Sequence, residues 1–127
     1  MEGTPRDLNP VVRDEAYRIA TEALRNAILH SAAARIEVEI RYDEQQLRLR
    51  IRDDGKGIEP SILNRGHLPG HWGLRGMRER AKLVGGNLEV WSQLDSGTEV
   101  ELTIPASNAY AKNPPSRWSI FSRTGQR

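Results

Sequence analysis

Four short islands of polar and glycine residues interrupt an otherwise ordinary alternation of apolar and charged residues. The first is Glu22, Asn26 and His30, spaced one helical turn apart. The second is Asp53-Asp54-Gly55-Lys56-Gly57. The third is Gly70-His71-Trp72-Gly73-Leu74-Arg75-Gly76, which runs on into Met77-Arg78-Glu79-Arg80-Ala81, and the fourth is Gly97-Thr98. An amide can face a metal ion, and a carboxylate can accept the exocyclic amine of a base. Glycine turns let backbone N–H groups approach a phosphate. Together the four islands describe a nucleotide pocket.

The segments between the islands must position them. Asn9 and Pro10 predict a helix start, and Val12, Ala16, Ile19, Ala23 and Ala27 recur at helical spacing as far as His30. Residues 35–42 alternate, with Ile36, Val38, Ile40 and Tyr42 on one face and Arg35, Glu37, Glu39 and Arg41 on the other. Leu47, Leu49 and Ile51 repeat the pattern against Arg48, Arg50 and Arg52, so residues 43–46 read as a hairpin turn between antiparallel strands whose wet face pairs acids with bases. Residues 54–73 lose all periodicity and form a long loop of the functional kind, with room for a helical turn after Pro60. A second helix is expected over 74–84, stopped by Gly85-Gly86. Two further strands follow around Leu88 and Val90 and around Val100, Leu102 and Ile104, with Asp95-Ser96-Gly97 as their turn. The expected architecture is an α+β two-layer sandwich: helices packed on one face of a mostly antiparallel mixed sheet. Pro105 is read as its end, leaving residues 1–9 as a flexible N-terminus and 106–127 as a basic tail in which Trp118, Ile120 and Phe121 stand out.

Phase carries the case for a site. At roughly 100° per residue, Asn26 and His30 fall about 20° either side of Ile19, and Glu22 about 60° away. A ridge of three polar residues on the core face makes more sense as a pocket wall than as packing, because a buried amide must find a partner. Asp53 follows Leu47, Leu49 and Ile51 in phase, so its carboxylate points inward from the strand end. Gly55 and Gly57 then turn the chain with no side chain to block a ligand. Thr98 is in phase with Val100, Leu102 and Ile104. Each has a plainer reading: a structural asparagine, an ordinary Asp-Gly turn, a threonine packed like valine. Three separate elements nevertheless direct polar groups into the same space. The glycines before the second helix leave N–H groups free for an anion, with Arg75 and Arg78 at hand. No Gly-x-x-x-x-Gly-Lys-Ser/Thr occurs, and the glycine spacing does not fit a dinucleotide fingerprint.

Composition narrows the classes. The chain has 127 residues, no cysteine and a net charge of +2, which predicts one soluble domain without disulfide or thiolate chemistry. No apolar run approaches the roughly 20 residues of a membrane span, and residues 1–10 contain no apolar stretch of a signal peptide. Four of the basic residues, Lys112, Arg117, Arg123 and Arg127, follow Tyr110 with no acid among them, leaving 15 basic against 17 acidic residues before it. That thin positive run reads as a solvated tail rather than a nucleic-acid surface.

Over about residues 10–105 the motifs and their order resemble the Bergerat-fold (GHKL) ATPases, which include gyrase, Hsp90-type chaperones, MutL and the sensor histidine kinases. The resemblance implies that Asn26 coordinates Mg²⁺, with Glu22 as the acidic residue one turn earlier, both in catalytic roles, and His30 one turn later. It implies that Asp53 receives the adenine amine within an Asp-x-Gly-x-Gly box completed by Gly55 and Gly57, with Ile58 also against the nucleotide. Gly73, Leu74, Arg75 and Gly76 match the glycine box at the hinge of an ATP lid spanning roughly 58–76, and Gly97-Thr98 match the last box, with Thr98 near the base. The string over 70–81, together with Glu-Ala-Leu-Arg-Asn-Ala-x-x-His-Ser over 22–31, is similar to bacterial sensor kinases that signal to LuxR/NarL-type response regulators.

The function so implied is that of a histidine kinase catalytic domain, using ATP and Mg²⁺ to phosphorylate a histidine. The phosphoacceptor hairpin of such kinases does not fit before the first helix. His30, His67 and His71 all fall in the nucleotide site or lid, and His67 with His71 lacks a third metal ligand. The expectation is therefore a cytoplasmic, monomeric catalytic fragment of a parent kinase anchored in the inner membrane. Its partner is the histidine-bearing dimerisation domain, with the response regulator reached indirectly. Rival readings are an anti-sigma-type serine kinase of the same fold, a non-catalytic nucleotide-binding module, and a nucleic-acid-binding domain acting through the tail.

Overall fold

The first helix begins where the sequence places it. The Asn9 side chain accepts the N–H groups of Val11 and Val12 at 2.9 and 3.3 Å, and Pro10 takes the first helical position, where no N–H is needed. This helix, α1, spans Pro10–His30 and buries Val12, Ala16, Ile19, Ala23, Asn26 and Ala27 along one face. The structure, a computed structural model, describes residues 6–58 and 73–111. Its other elements are β1 (Ile36–Tyr42), β2 (Gln46–Asp53), α2 (Leu74–Leu83), β3 (Asn87–Gln93), β4 (Gly97–Pro105) and a one-turn helix, α3 (Ala106–Ala109).

The strands form one sheet in the order β1-β2-β4-β3, with every neighbouring pair antiparallel. The helices cover one face, which is the two-layer α+β arrangement expected from the alternation. Register stacks the inward side chains into rows across the sheet. Ile40, Leu49, Leu102 and Leu88 make one row, and Val38, Ile51, Val100 and Val90 the next. Against them pack Ile19, Ala23, Leu74, Met77 and Ala81 from the helices. Each fully buried aliphatic side chain contributes about 1.5–3 kcal/mol relative to exposure. Val38 is the exception at 49% exposed, because it sits on an edge strand.

The outer face is polar. Arg48, Arg50 and Arg52 of β2 stand between glutamates of β1 and β4. Glu39 meets Arg50 at 2.8 Å and Arg48 at 3.6 Å, Glu101 meets Arg48 at 3.4 Å, and Glu99 meets Arg52 at 3.0 Å. These are the acid–base pairs predicted for the wet face.

The fold does not end at Pro105, and residues 6–9 and 106–111 are not loose. Leu8 bridges Tyr110, Asn9 N–H donates to the Ala109 carbonyl, and Ala111 N–H to the Asp7 carbonyl, both at 2.8 Å. The Tyr110 ring is buried, carries the Arg6 guanidinium 3.9 Å from its centroid, and sends its hydroxyl to the carbonyls of Asp43 and Gln46 at 2.7 and 3.0 Å. Periodicity gives no warning of this, because one aromatic after a one-turn helix has no partner in phase. The remaining expectations for the termini, at residues 1–5 and 112–127, lie outside the described residues.

Candidate functional site

The inward rows change character at one end of the sheet. Beyond the valine and isoleucine row, the next register row reads Ile36, Asp53, Thr98, Ser92 across β1, β2, β4 and β3. Three neighbouring strands thus turn polar at the same level. Asn26, one of the few buried polar residues, stands over this row from α1. Asn26, Asp53 and Thr98 line a single crevice with Ala23, Ala27, Ile51, Ile58, Leu74 and Val100. The crevice is narrow, about 10 Å³ in volume, while Asp53 and Thr98 also border an open cleft of about 810 Å³.

Asp53 is 8% exposed. One carboxylate oxygen accepts the Gly55 N–H at 2.8 Å, and the other has no protein partner among the described residues. The acceptor capacity of that oxygen is open to a donor. Asp54 does a different job. Its Oδ1 accepts the N–H groups of Ala34 and Arg35, each at 2.9 Å, and so ties the start of β1 to the end of β2. The Arg35 N–H holds the Asp54 carboxyl below the usual aspartate range against desolvation, helped by the Ala34 N–H and the nearby Arg35 charge.

The glycines serve the scaffold first. A Cβ on Gly55 would lie 2.2 Å from the Ser31 carbonyl oxygen, one on Gly57 2.4 Å from that of Gln93, and one on Gly97 2.0 Å from that of Asp53. Gly57 and Gly97 also hold φ of +78° and +108°. The expectation that Gly55 and Gly57 keep space for a ligand is thus met by a nearer cause: they bring the end of α1, the end of β2 and the β3–β4 hairpin into contact. Ser31 completes that junction, its carbonyl accepting the Lys56 N–H at 2.8 Å and its hydroxyl donating to the Ala27 carbonyl.

The other predicted residues occupy a second surface. Glu22 is half-buried and shares with Gly73, Gly76, Met77, Arg80, Tyr17, Arg18 and Thr21 a groove of about 390 Å³ between α1 and α2. Gly73 takes the left-handed conformation, φ +61°, at the start of α2, with no side chain among the described residues capping the helix. A Cβ there would come within 2.8 Å of the Glu22 carboxylate. Among the described residues, Gly76 meets nothing that a Cβ would strike. Arg75 is turned along α2 to Glu79 at 3.2 Å, and His30 is exposed at the end of α1. Leu74 links the two surfaces, lying buried in the crevice directly after Gly73. The rest of the expected lid, with Gly70, His71 and Trp72 and with His67, lies outside the described residues. Among the described residues no group of three or more His, Cys, Asp or Glu could hold a metal.

Ser92 escaped the sequence reading. Its signal was present, since it continues the alternation of Leu88 and Val90 as Asp53 continues that of Leu49 and Ile51. Its hydroxyl meets the Thr98 hydroxyl at 2.8 Å and the Gly97 carbonyl at 3.2 Å, and accepts the Ile58 N–H at 2.7 Å.

The inner face of this two-layer α+β domain thus ends in a carboxylate, a hydroxyl and an overhanging amide. The family model described as "Histidine kinase-, DNA gyrase B-, and HSP90-like ATPase" matches residues 11–108, and the chain belongs to this family. Domains of this family bind ATP. The chain is 37% identical over 94 residues to the sensor histidine kinase LiaS of Bacillus subtilis (strain 168), covering 74% of this chain and 25% of that protein. It is 36% identical over 94 residues to the sensor protein VraS of Staphylococcus haemolyticus (strain JCSC1435), covering 74% and 26%. It therefore spans about a quarter of the length of the curated relatives it matches. The histidine kinase domain from the Erythrobacter litoralis EL346 blue-light activated histidine kinase matches with a TM-score of 0.66 and 28% identity, over 84% of this chain and 53% of that one. No described helix is long and apolar enough to cross a membrane.

Proposed function

We propose that this chain is the ATP-binding catalytic domain of a two-component sensor histidine kinase. It transfers the γ-phosphoryl group of ATP to a histidine on a dimerisation domain outside residues 1–127. The observation that carries this reading is the convergence of Asn26, Asp53 and Thr98 on one interlayer crevice.

The residues fit the ligand they would hold. An adenine amine supplies the donor that the spare Asp53 oxygen lacks, and Thr98 lies beside it in register. Mg²⁺ dehydrates reluctantly and is commonly held by one or two protein groups together with phosphate oxygens and water. A single amide, Asn26, is therefore a sufficient protein contribution, and the ion would neutralise phosphate charge as the bond to the leaving ADP oxygen breaks. The uncapped start of α2 offers the N–H groups of Leu74, Arg75 and Gly76 to the phosphates. Glu22, across Gly73 from that helix start, orients the incoming imidazole and receives its proton as the new N–P bond forms. Positioning and charge neutralisation supply most of the rate in such transfers.

In this reading the lid spans roughly 58–76. The isolated chain is a monomer and works in the cytoplasm as part of a kinase anchored in the inner membrane. The phosphoryl group passes on to a LuxR/NarL-type response regulator. Calorimetric titration with ATP, with and without Mg²⁺, tests the assignment. Asp53→Asn turns an acceptor into a donor facing the amine and lowers ATP affinity about a hundredfold. Asn26→Ala keeps base recognition but removes the Mg²⁺ dependence. Unaltered binding in both variants overturns the proposal.

A further inference from the structure

We infer that the bond from Arg80 to Glu15 positions the start of α2 against Glu22 and so sets the phosphate end of the site, an inference that rests on the nucleotide reading above. Arg25 and Arg75 meet carboxylates of their own helices, Glu22 at 3.9 Å and Glu79 at 3.2 Å. Arg80 crosses from α2 to α1, where its Nη1 donates to Glu15 Oε1 at 3.1 Å. Only 18% of the Glu15 side chain is exposed, so this pair is screened less than the two on the helix surfaces.

The spacing gives this bond its consequence. Glu15 and Glu22 are seven residues apart on α1, and Gly73, the cap of α2, is seven residues before Arg80. Seven residues make about two turns, roughly 10 Å along the axis, so each pair shares one side of its helix. A Cβ on Gly73 would lie 2.8 Å from the Glu22 carboxylate, and Arg80 meets Glu15. The helices are thus antiparallel, with two rungs at matching heights, and share a groove lined by Thr21, Gly76 and Met77. Met77 and Ala81 of α2 join the core with Ala16 and Ile19 of α1, an attraction without direction. The charged hydrogen bond is directional. A slide of one turn, about 5.4 Å, would break it and carry Gly73 away from Glu22. Phosphoryl transfer tolerates little of this, since a misplacement of about 1 Å can cost on the order of a hundredfold in rate.

The test compares ATP with adenosine. Equilibrium titration of the full chain with each, in the presence of Mg²⁺, gives an affinity ratio that isolates the phosphate contribution, because both ligands share the base and general loosening of the fold weakens both. Arg80→Met removes the donor and keeps the stem, and Glu15→Met removes the acceptor. Each lowers the ATP-to-adenosine ratio about tenfold and leaves adenosine affinity at the wild-type value. Direct attraction of phosphate by the Arg80 charge predicts the opposite for Glu15→Met, which would free that charge and raise the ratio. Glu15→Asp withdraws the carboxylate by one methylene, lowers the ratio in the same direction, and serves if a methionine variant fails to fold. The double exchange of Glu15→Arg with Arg80→Glu remakes the bond in reverse and restores part of the lost ratio. A ratio unchanged in both methionine variants, or raised in Glu15→Met, with ATP still bound by the wild type, overturns this inference alone. A wild-type chain that binds neither ligand overturns the nucleotide reading and this inference with it.

Discussion

The space between helices and sheet has two ends, and they are finished differently. At one end Tyr110 closes the core. Its ring is buried, and its hydroxyl donates to the Asp43 and Gln46 carbonyls of the β1–β2 hairpin. At the other end Asn26, Asp53 and Thr98 bring polar groups to the core margin, and Asp53 keeps an oxygen without a protein partner among the described residues. Both ends put polar atoms against apolar rows. Among the described residues the Tyr110 hydroxyl finds two acceptors, whereas one Asp53 oxygen finds no donor. An end that holds unspent acceptor capacity is where a ligand's donors lower the free energy most, so the contrast separates the part built for stability from the part built for binding.

The sharpest way to break this contrast is to open the closed end. Tyr110→Ala removes a buried ring and leaves the Asp43 and Gln46 carbonyls without its hydroxyl. It should cost about 3–5 kcal/mol in chemical unfolding, as aromatic truncations in cores do. ATP affinity, measured where the variant remains folded, should not change, because Tyr110 lies at the opposite end of the interlayer from Asp53. A variant that loses stability and affinity together would show the two ends to be one unit. The same destabilisation from Asp53→Asn would carry the same message from the other side.

The contrast also explains what could be read in advance. Alternation over 36–42, 47–52 and 100–104 is dense, and helix spacing over 12–27 is regular, so elements, faces and the inward phase of Asp53, Thr98 and Asn26 were all legible. Tyr110 was not, because its placement depends on the β1–β2 hairpin more than sixty residues earlier, a contact no local pattern encodes. The glycines were legible as turns but not in their cause. That Gly97 exists to admit the Asp53 carbonyl is a fact about two strands meeting. Ser92 was missed for a simpler reason: a serine ending a strand is unremarkable until its cross-strand neighbours are known to be Thr98 and, beyond it, Asp53.

A second test asks whether polar groups alone make a site. The outer face of the sheet is richer in charge than the crevice, yet its charges are matched within the sheet. Glu39 lies within 4 Å of Arg41, Arg48 and Arg50. Glu39→Gln should lower stability by about 1 kcal/mol, because the network is partly exposed and screened. The loss should shrink in 1 M salt, where screening acts within about 3 Å. Nucleotide affinity should stay at the wild-type value. A fall in affinity would mean that the outer lattice supports the crevice as well as the sheet.

The smallest effect concerns the two adjacent aspartates, which distinguish scaffold from site at a single peptide bond. Asp54 is a scaffold carboxylate, tied to the Ala34 and Arg35 N–H groups, and those bonds hold its carboxyl below the usual aspartate range in the folded chain. A depressed folded pKa contributes stability that is fully present above the unfolded value. That stability is lost as pH falls below it, through the folded pKa. The acid limb of the stability curve below about pH 4 should therefore be shallower in Asp54→Asn, which keeps an acceptor for both N–H groups but cannot titrate. Between pH 6 and 8 the variant should bind ATP as the wild type does, in contrast to Asp53→Asn one residue away. An acid limb that keeps its wild-type slope would show that Asp54 is not the carboxylate linking the end of β2 to the start of β1 in solution.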